Sequence, residues 1–490
     1  MIAPAWDYLI LTASNKAQAR AYEDQLRLRR RLGLLPQVRE AFVLADLEGR
    51  RIGSGGSTLA CLAEVLSRER SGNVDARAIL ERLRILIVHA GGDSRRLPAY
   101  GPCGKVFLPV PAGEGDLPPS LFDLLVPVFL RLPAPVSGRG QVVVTAGDAL
   151  LLFDPAIVRF EHPGVTALTC YAAAEEASRH GVYCLGEGGV VRRFLQKPSS
   201  ACQQAEGAMN AAGRTPLDLG VMSLDAPSAS GLLNAFGVAP LPGGRFDFTP
   251  TARALLLQHS LDLYREICCA MGSGAPLEHY IRSARSSGST WPEAMLEAVY
   301  PALQAVPFFA HFLPECEFLH FGSTRQLAEN GALLLERLGR PKPASGNIVL
   351  NTAVQAPGAI SGTDSWVEGC RVRSALTLGG GNVVVGVDVD QPLSLPPGAC
   401  LDVLSGNGRH GAPAWFVRCY AVSDTFKDTV QRGGTFCGRP LMEWLAIAEI
   451  EPARIWPDAS EQSLWTARVF PAEPSPAGYR RWLWMYEPEK

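Results

Sequence analysis

A run of aliphatic residues that ends in two glycines constrains the fold of this sequence more than any other stretch. Residues 85–92 read Ile-Leu-Ile-Val-His-Ala-Gly-Gly. Aliphatic runs of this length are typical of strands that are buried on both faces of a parallel sheet. Glycines allow a tight turn and bring backbone N–H groups close to a ligand. The stretch therefore predicts a buried strand followed by a ligand-binding turn.

The residues after the two glycines carry groups that bind phosphate. Ser94 offers a hydroxyl, Arg95 a bidentate guanidinium and Lys105 a mobile ammonium charge. Two familiar phosphate motifs do not fit, because Ala99 stands where a Walker A loop needs glycine and the turn lacks Gly-x-Gly-x-x-Gly. A strand-to-turn junction with solvent-exposed arginines is the alternative interpretation of these residue types.

Strand-like and helix-like segments alternate around this turn. Residues 8–12 and 41–45 have the composition of strands, and Ser14 or Asn15 is placed to cap a helix that runs to about Leu32. Such alternation predicts an α/β fold, a Rossmann-like domain with a mostly parallel sheet and ligands at the carboxyl ends of its strands.

A second glycine-rich stretch, Gly53–Thr58, precedes an amphipathic helix predicted near residues 59–68. Glycines before a helix can form an anion-binding nest, which makes Gly55, Gly56 and Ser57 candidate nucleotide-binding residues. A plain glycine-rich turn is the alternative.

Three further positions, Asp148, Lys197 and Gly220, suit a ligand site. Asp148 follows the predicted strand 141–145, where one carboxylate can hold Mg²⁺ together with phosphates and waters. Lys197 precedes a proline, which favours an extended residue that reaches a phosphate. Gly220 allows a ligand ring to approach its strand, and Asp262 lies in a segment, 249–269, predicted to be mostly helical. Residues 199–216 are small and polar and predict a flexible loop.

The composition excludes several classes of protein. A net charge of −2 argues against a nucleic-acid or membrane-surface partner. Twelve cysteines without a Cys-x-x-Cys pair favour reduced thiols in a cytoplasmic protein. Residues 1–7 lack the basic and apolar regions of a secretory leader. The oligomeric state stays open.

Beyond residue 340 the hydrophobic period changes. Apolar residues recur every six positions, which is the period of a parallel β-helix, and a one-residue slip precedes the last three. We therefore predict an α/β domain over 1–340, a hexapeptide-type β-helix over 341–411, and a mixed segment over 412–490 that packs on the β-helix. The periodic residues are Ile348, Val354, Ile360, Trp366, Val372, Leu378 and Val384, followed by Val389, Leu395 and Leu401.

Together these stretches resemble the fucose-1-phosphate guanylyltransferase family, which includes the guanylyltransferase half of bifunctional fucokinase enzymes. The order Gly-Gly, hydroxyl residue, Arg, Pro and Lys is similar to the signature of sugar-1-phosphate nucleotidyltransferases, with Arg95 three residues before Pro98. The segments that carry the likeness are Asp7–Ser14, Gly53–Thr58, His89–Lys105, Leu195–Ser199, Asp262–Glu266, Phe321–Thr324 and Ala421–Lys427.

The resemblance implies a Mg²⁺-dependent enzyme that makes GDP-L-fucose and pyrophosphate from GTP and L-fucose 1-phosphate. It implies catalytic roles for Arg95, Lys105 and Lys197 and a metal-binding role for Asp148. The implied nucleotide-binding residues are Gly55, Gly56, Ser57, Ala90, Gly91, Gly92, Ser94, Arg95 and Lys105, and the implied substrate-binding residues are Lys197, Gly220 and Asp262.

The chain departs from related pyrophosphorylases at two points. Gln196 stands where many of them have glutamate before Lys-Pro. Residues 318–322 read Phe-Leu-His-Phe-Gly in place of Trp-x-Asp-x-Gly, whose aspartate is a second metal ligand, so His320 becomes a candidate ligand.

Three other functions stay open from the sequence. A different sugar, of the mannose or heptose type, would use the same residues. A non-catalytic nucleotide-sugar-binding relative would suit the missing second metal ligand. A β-helix acyltransferase fits less well, because no histidine lies between Ile348 and Leu401.

Overall fold

The computed structural model describes residues 5–69, 75–113, 118–242, 244–457 and 461–489. Residues 1–4, on which the expectation of no secretory leader partly rests, lie outside these ranges. The chain forms two compact units. The first comprises Met1–Gly92, Leu125–Gly147 and Leu151–Phe318, and the second comprises Asp93–Leu124, Asp148–Leu150 and Leu319–Lys490. The boundaries predicted at 340 and 411 both fall within the second unit.

A mostly parallel sheet organises the first unit. Only one strand of its main path, Arg214–Leu224, runs antiparallel to both of its neighbours. The predicted α/β fold with a mostly parallel sheet is thereby confirmed. The strand order is Phe308–Phe312, Val165–Ala173, Arg214–Leu224, Gln141–Ala146, Arg84–His89, Trp6–Ala13 and Val38–Ala45, with Gly181–Leu185 and Val191–Gln196 attached in antiparallel pairs.

The strand Arg84–His89 lies inside this sheet, between Trp6–Ala13 and Gln141–Ala146. Its residues 85–88 are each 0 % exposed, as the aliphatic run predicts. Full burial of such side chains contributes about 1.5–3 kcal/mol each. The turn after the strand is therefore attached to one of the best-packed elements of the protein.

Asn15 caps the first helix, because its side chain accepts hydrogen bonds from the N–H groups of Ala17 and Gln18.

Within the described ranges, no helix combines the length and apolar character needed to cross a bilayer. The α-helices of the described residues, with one π-helix, are Lys16–Arg31, Gly53–Arg68, Ala76–Leu80, Leu121–Leu130, Ala174–Ala177, Ser200–Ala205, Ala226–Ala235, Pro250–Gln258, Leu263–Cys268 (the π-helix), Cys269–Met271, Leu277–Ser286, Glu293–Gln304, Gln326–Arg337, Leu441–Ile447 and Pro452–Ile455.

Two predictions for segments of the first unit are wrong, and a third is confirmed. The helix expected near residue 59 begins at Gly53. The segment 249–269 is mostly helical, as predicted, with an interruption at 259–262. The predicted loop 199–216 contains the helix Ser200–Ala205, because Ser199 caps it through a hydrogen bond from the Cys202 N–H. Tertiary packing and capping override the local propensity of glycine and small polar residues in these segments.

Three parallel sheets make up the middle of the second unit. Paired residues lie 16 to 18 positions apart: 18 for Ile348 with Trp366, 17 for Trp366 with Val383 and 16 for Ile360 with Leu376. One sheet contains Ile348–Leu350, Trp366–Glu368, Val383–Val385 and Ala399–Asn407; the second contains Ala353–Val354, Arg371–Val372 and Asp388–Val389; the third contains Ala359–Ser361, Ala375–Leu378 and Leu393–Leu395.

Most of the six-residue apolar positions point inward, but Val354 and Ile360 are exceptions. Val354 is 48 % exposed, and Ile360 is half-buried. Both lie in the end strand of their sheet, so a neighbouring strand covers them on one side only. The positions that are buried are Ile348, Trp366, Val372, Leu378, Val384, Val389, Leu395 and Leu401.

The chain beyond residue 412 packs on these strands. Pro413–Ala421 pairs antiparallel with Ala399–Asn407 and with Ala472–Glu473. The Tyr479 hydroxyl donates to the Asp388 carbonyl oxygen at 3.2 Å. The remaining short strands of the chain are Ala149–Leu152, Val238–Pro240, Phe246–Phe248, Glu317–His320, Thr435–Phe436 and Arg439–Pro440.

Candidate functional site

The glycine turn of the first unit is held by two hydroxyl groups that the sequence did not single out. The Thr12 Oγ1 atom accepts from the N–H groups of Ala90 and Gly91 at 3.1 and 3.3 Å, and the Ser14 Oγ atom accepts from the Gly92 N–H at 2.9 Å. These N–H groups were predicted to face phosphate. In the sequence, the only indication that Thr12 and Ser14 support the turn is that they lie in the stretch 7–14, which carries part of the family resemblance.

The backbone of the turn is strained. Gly92 has φ +123°, which favours glycine, and Ser94 has φ +53° although it carries a side chain. A left-handed non-glycine residue costs about 1–3 kcal/mol, and such residues occur at functional sites as well as in ordinary turns. The conformation of Ser94 is therefore compatible with a functional role but does not by itself establish one.

A lysine, an aspartate and a histidine meet in the second unit. The Lys105 Nζ atom lies 3.2 Å from Asp148 Oδ2, and the His320 Nε2 atom lies 3.5 Å from the same oxygen. The Asp148 carbonyl oxygen accepts from the Phe321 N–H at 3.0 Å, which fixes the backbone on both sides of the pair. We call Lys105, Asp148 and His320 the charged cluster.

The charged cluster shifts the pKa values of Asp148 and Lys105. Burial alone would raise the pKa of Asp148, but the His320 hydrogen bond and the Lys105 charge outweigh it and hold that pKa well below the ordinary value. Burial lowers the pKa of Lys105, and the Asp148 charge opposes this shift. Asp148 is thus a stable anion beside a largely buried lysine.

The loop that carries Lys105 is anchored to the parallel strands of its own unit. The Tyr100 hydroxyl accepts from the Trp366 Nε1–H at 2.8 Å and lies 3.3 Å from Glu368 Oε2. The Arg96 carbonyl oxygen accepts from the Thr324 N–H at 2.9 Å. Both Tyr100 and Trp366 are buried, so the loop has a fixed support.

Arg95 lies among residues distant in sequence. Its Nε atom is 3.2 Å from Asp93 Oδ2, its Nη1 atom is 3.6 Å from Glu461 Oε1, and its guanidinium lies 4.9 Å from the centre of the Trp465 ring. Sequence reasoning missed Glu461 and Trp465, because neither belongs to a recognised motif.

The glycine-rich stretch 53–58 forms the start of a helix rather than a turn before it. Gly53 has φ +81°, and a Cβ atom there would lie 2.2 Å from the Leu261 carbonyl oxygen, so only glycine fits. The Gly56 N–H donates to that oxygen at 3.1 Å, and the Ser57 hydroxyl donates to Asp46 Oδ1 at 2.6 Å. Gly55 is also buried. Close packing is thus a sufficient structural reason for glycine in this stretch. Nucleotide binding by Gly55, Gly56 and Ser57 stays a prediction.

Asp262 caps the π-helix Leu263–Cys268. Its Oδ1 atom accepts from the N–H groups of Tyr264 and Arg265, each at 3.0 Å, and its Oδ2 atom accepts from the Ser54 hydroxyl at 3.2 Å. Both carboxylate oxygens accept hydrogen bonds from the protein, and this structural role is enough to explain an aspartate at this position. Substrate binding by Asp262 stays a prediction.

Lys197 is not extended, contrary to the prediction from the proline that follows it. Its φ is +51°, in the left-handed region. The hydrogen bond from its N–H to the His180 carbonyl oxygen, at 3.0 Å, holds this conformation at the end of the strand Val191–Gln196. The residue is exposed. Phosphate binding by Lys197 therefore stays a prediction that rests on its charge and its exposure.

A buried carboxylate fixes the backbone at Gly220. The Asp218 Oδ1 atom accepts from the Gly220 N–H at 3.0 Å and from the Tyr183 hydroxyl at 2.7 Å. Burial raises the pKa of Asp218 from 3.8 to about 6, although both hydrogen bonds lower it. Sequence reasoning had identified Gly220 but not the residues that position it.

We expect the Asp218→Asn variant to change the pH dependence of stability. Because the pKa is about 6 in the folded chain and 3.8 as the ordinary value, the folded state binds more protons between these values. Stability of the native protein relative to Asp218→Asn therefore falls by about 3 kcal/mol as pH rises through this window. Denaturant unfolding at pH 4 and pH 7 measures the difference in unfolding free energy between the native protein and the variant. Asp364→Asn, at an exposed aspartate, is the control. A difference that does not vary with pH would contradict this prediction.

Asp148 is the principal candidate for a Mg²⁺ ligand. Among the residues that the structure describes, no three histidine, cysteine or acidic side chains meet at metal-binding distance. Asp148 supplies one carboxylate, and Mg²⁺ is often bound by one or two carboxylates together with substrate phosphates and waters. The residues therefore fit a Mg²⁺ ion that takes most of its ligands from substrate.

The mixed α/β sheet and the basic residues that follow its buried strand are typical of α/β proteins that bind phosphorylated ligands. The family model for the fucose pyrophosphorylase domain matches residues 77–475. The chain therefore belongs to the fucose pyrophosphorylase family.

Relatives of known name extend this similarity. The chain is 27 % identical over 517 residues to the bifunctional fucokinase/GDP-fucose pyrophosphorylase of Arabidopsis thaliana, covering 96 % of this chain and 47 % of the relative. It is 24 % identical over 533 residues to the fucose-1-phosphate guanylyltransferase of Mus musculus, covering 95 % of this chain and 83 % of the relative. The chain thus spans about half the length of the bifunctional relative. A crystal structure described as mannose-1-phosphate geranyltransferase from Thermus thermophilus aligns over 85 % of this chain and 95 % of that chain with 15 % identity and a TM-score of 0.26, too low to establish a shared fold.

Proposed function

We propose that this protein is a fucose-1-phosphate guanylyltransferase, which makes GDP-L-fucose and pyrophosphate from GTP and L-fucose 1-phosphate. Membership of the fucose pyrophosphorylase family and the names of its relatives support the substrates. The observation that carries the proposal is the ion pair between Lys105 and Asp148, because it places a buried cation beside a stable carboxylate in the region of the phosphate signature.

The proposed reaction needs charge neutralisation rather than a general base. A phosphate oxygen of the sugar 1-phosphate forms a bond to the α-phosphorus of GTP, and the bond from that phosphorus to the bridging oxygen breaks. Pyrophosphate leaves with the electron pair, and no proton must be moved. The barrier is the repulsion between anions, which fixed cations reduce.

Each candidate residue has a role in this proposal. Lys105 and Arg95 neutralise the nucleotide phosphates, and the strained turn at Ser94 orients them. Lys197 meets the sugar phosphate, and Gly220 lies against the sugar. The remaining proposed contacts are nucleotide binding by Gly55, Gly56, Ser57, Ala90, Gly91 and Gly92 and substrate binding by Asp262.

Asp148 would hold Mg²⁺, with His320 as the nearest additional donor. A bound Mg²⁺ supplies positive charge that stabilises the phosphates during transfer. The ordinary Mg²⁺ preference for oxygen ligands makes Asp148 the principal protein ligand in this proposal, and His320 a weaker one.

The finer organisation of the chain is part of the proposal. The 16- to 18-residue spacing of paired strands supports a parallel β-helix over 341–411, with 412–490 packed against it and the α/β domain over 1–340. The twelve free cysteines support a reducing, cytoplasmic location.

Pyrophosphate release from a panel of substrates tests the function. We expect rapid release only with Mg²⁺, GTP and L-fucose 1-phosphate, and slower release with mannose or heptose phosphates or with ATP. Preference for another sugar phosphate would change the substrate assignment. No release with any pair, from protein that binds GTP, would favour the non-catalytic relative.

A further inference from the structure

Three residues beyond position 412 contact Arg95. The Arg95 backbone oxygen accepts from the Phe426 N–H at 2.9 Å. Its guanidinium lies over the Trp465 ring at 4.9 Å and near Glu461 at 3.6 Å. Arg95 and these three residues belong to the same compact unit.

Phe426 links Arg95 to Trp465 through one peptide segment. The Phe426 carbonyl oxygen accepts from the Trp465 N–H at 3.0 Å, while the Phe426 N–H donates to the Arg95 carbonyl oxygen. The Phe426 side chain is 2 % exposed and stacks on Phe470 with ring centres 5.2 Å apart. The backbones of Arg95 and Trp465 are therefore tied to one buried aromatic residue.

The segment around Trp465 is also fixed by its own hydrogen bonds. Ser463 is fully buried, and its hydroxyl donates to Glu461 Oε1 at 3.2 Å. The Val430 N–H donates to the Gln462 carbonyl oxygen at 2.8 Å. These hydrogen bonds therefore hold the segment that carries Glu461 and Trp465 in place.

The position of Trp465 suits a guanidinium that must bind phosphate. A guanidinium stacked on an aromatic face keeps its N–H donors directed outward in its own plane. The Arg95 side chain is 29 % exposed and the Trp465 residue 42 % exposed, so the pair is accessible to a ligand. Stacking removes rotamer freedom from Arg95 before the ligand arrives, which favours binding.

We propose that Trp465 is a positioning residue that holds the Arg95 guanidinium ready for the nucleotide phosphates. This inference rests on the proposed function, since it requires that Arg95 binds phosphate. It gives the segment beyond residue 412 an indirect part in the reaction, through the orientation of Arg95.

Steady-state kinetics with GTP on a double-mutant cycle tests the inference. We expect Arg95→Ala to lower kcat/KM by about 100-fold, the scale for one electrostatic group, and Trp465→Ala to lower it by about 10-fold. Trp465→Phe, which retains an aromatic face, is expected within about 2-fold of the native enzyme. In the Arg95→Ala background, Trp465→Ala is expected to have no further effect.

Trp484→Ala is the matched control, because Trp484 is 39 % exposed and stacks on Trp444 instead of Arg95. Thermal unfolding of each variant identifies any loss of folded protein. Losses that add in the double variant, an equal loss in Trp484→Ala, or no loss in Trp465→Ala would overturn the inference while leaving the proposed function intact. Unchanged activity in Arg95→Ala would remove Arg95 from phosphate binding and overturn the inference with it; pyrophosphate release by the native enzyme shows separately whether the proposed function holds.

Discussion

Replacing Lys105 by alanine is expected to lower kcat by about 10²–10³-fold, the usual scale for loss of one electrostatic stabiliser of a transition state. The Lys105 side chain is only 16 % exposed and points at Asp148. Its charge therefore acts where water screens it weakly. Pyrophosphate release under saturating substrates measures the effect.

The fold should survive this substitution, because the Asp148 side chain is 32 % exposed and can be hydrated when the lysine is absent. Lys342→Ala is a suitable control: its ammonium group pairs with Asp364 at 3.8 Å and is 54 % exposed. Turnover close to that of the native protein in Lys105→Ala, with unfolding unchanged, would exclude Lys105 from the mechanism.

The Asp148→Asn variant is expected to lose Mg²⁺-dependent activity. The substitution keeps the size of the side chain but removes the anion that Lys105 and His320 contact. An amide oxygen is a weaker ligand for Mg²⁺ than a carboxylate, so activity with Mg²⁺ should fall to the level measured without it. Titration of initial rate against Mg²⁺ concentration is the measurement.

Asp364→Asn supplies the comparison for this variant, since its carboxylate is 67 % exposed and lies in the same unit. His320→Gln then separates the two candidate donors. If Asp148→Asn responds to Mg²⁺ at the same concentrations as the native protein, the metal ligand is elsewhere.

Much of the fold could be predicted from local pattern. The aliphatic run 85–88 determines a strand because burial of every side chain favours the interior of a sheet. Asn15 and Gly33 mark the ends of the first helix for local reasons, namely capping and a left-handed residue at φ +69°. The six-residue period predicted inward positions that the structure bears out from Trp366 onward.

The rest depends on contacts between residues far apart in sequence. Glycines at 53–56 favour a turn by propensity, yet close packing against Leu261 makes them the start of a helix. Trp465 is 370 positions from Arg95 in the printed sequence, and no local pattern relates the two. Likewise, no local pattern predicts that the hydroxyls of Thr12 and Ser14 accept hydrogen bonds from the glycine turn, because only the pairing of the strands brings them together.

Residues 93–124, with Lys105 among them, belong to the same compact unit as residues 319–490. Tyr100 relies on Trp366, and Arg95 on Phe426. A shortened fragment that stops at residue 340 would retain every residue of the phosphate signature. It would lose Trp366 and Phe426, which hold Tyr100 and Arg95 in place. The C-terminal third is therefore expected to support the segment that carries Lys105, and a fragment ending at residue 340 would need it added in trans to recover the proposed activity.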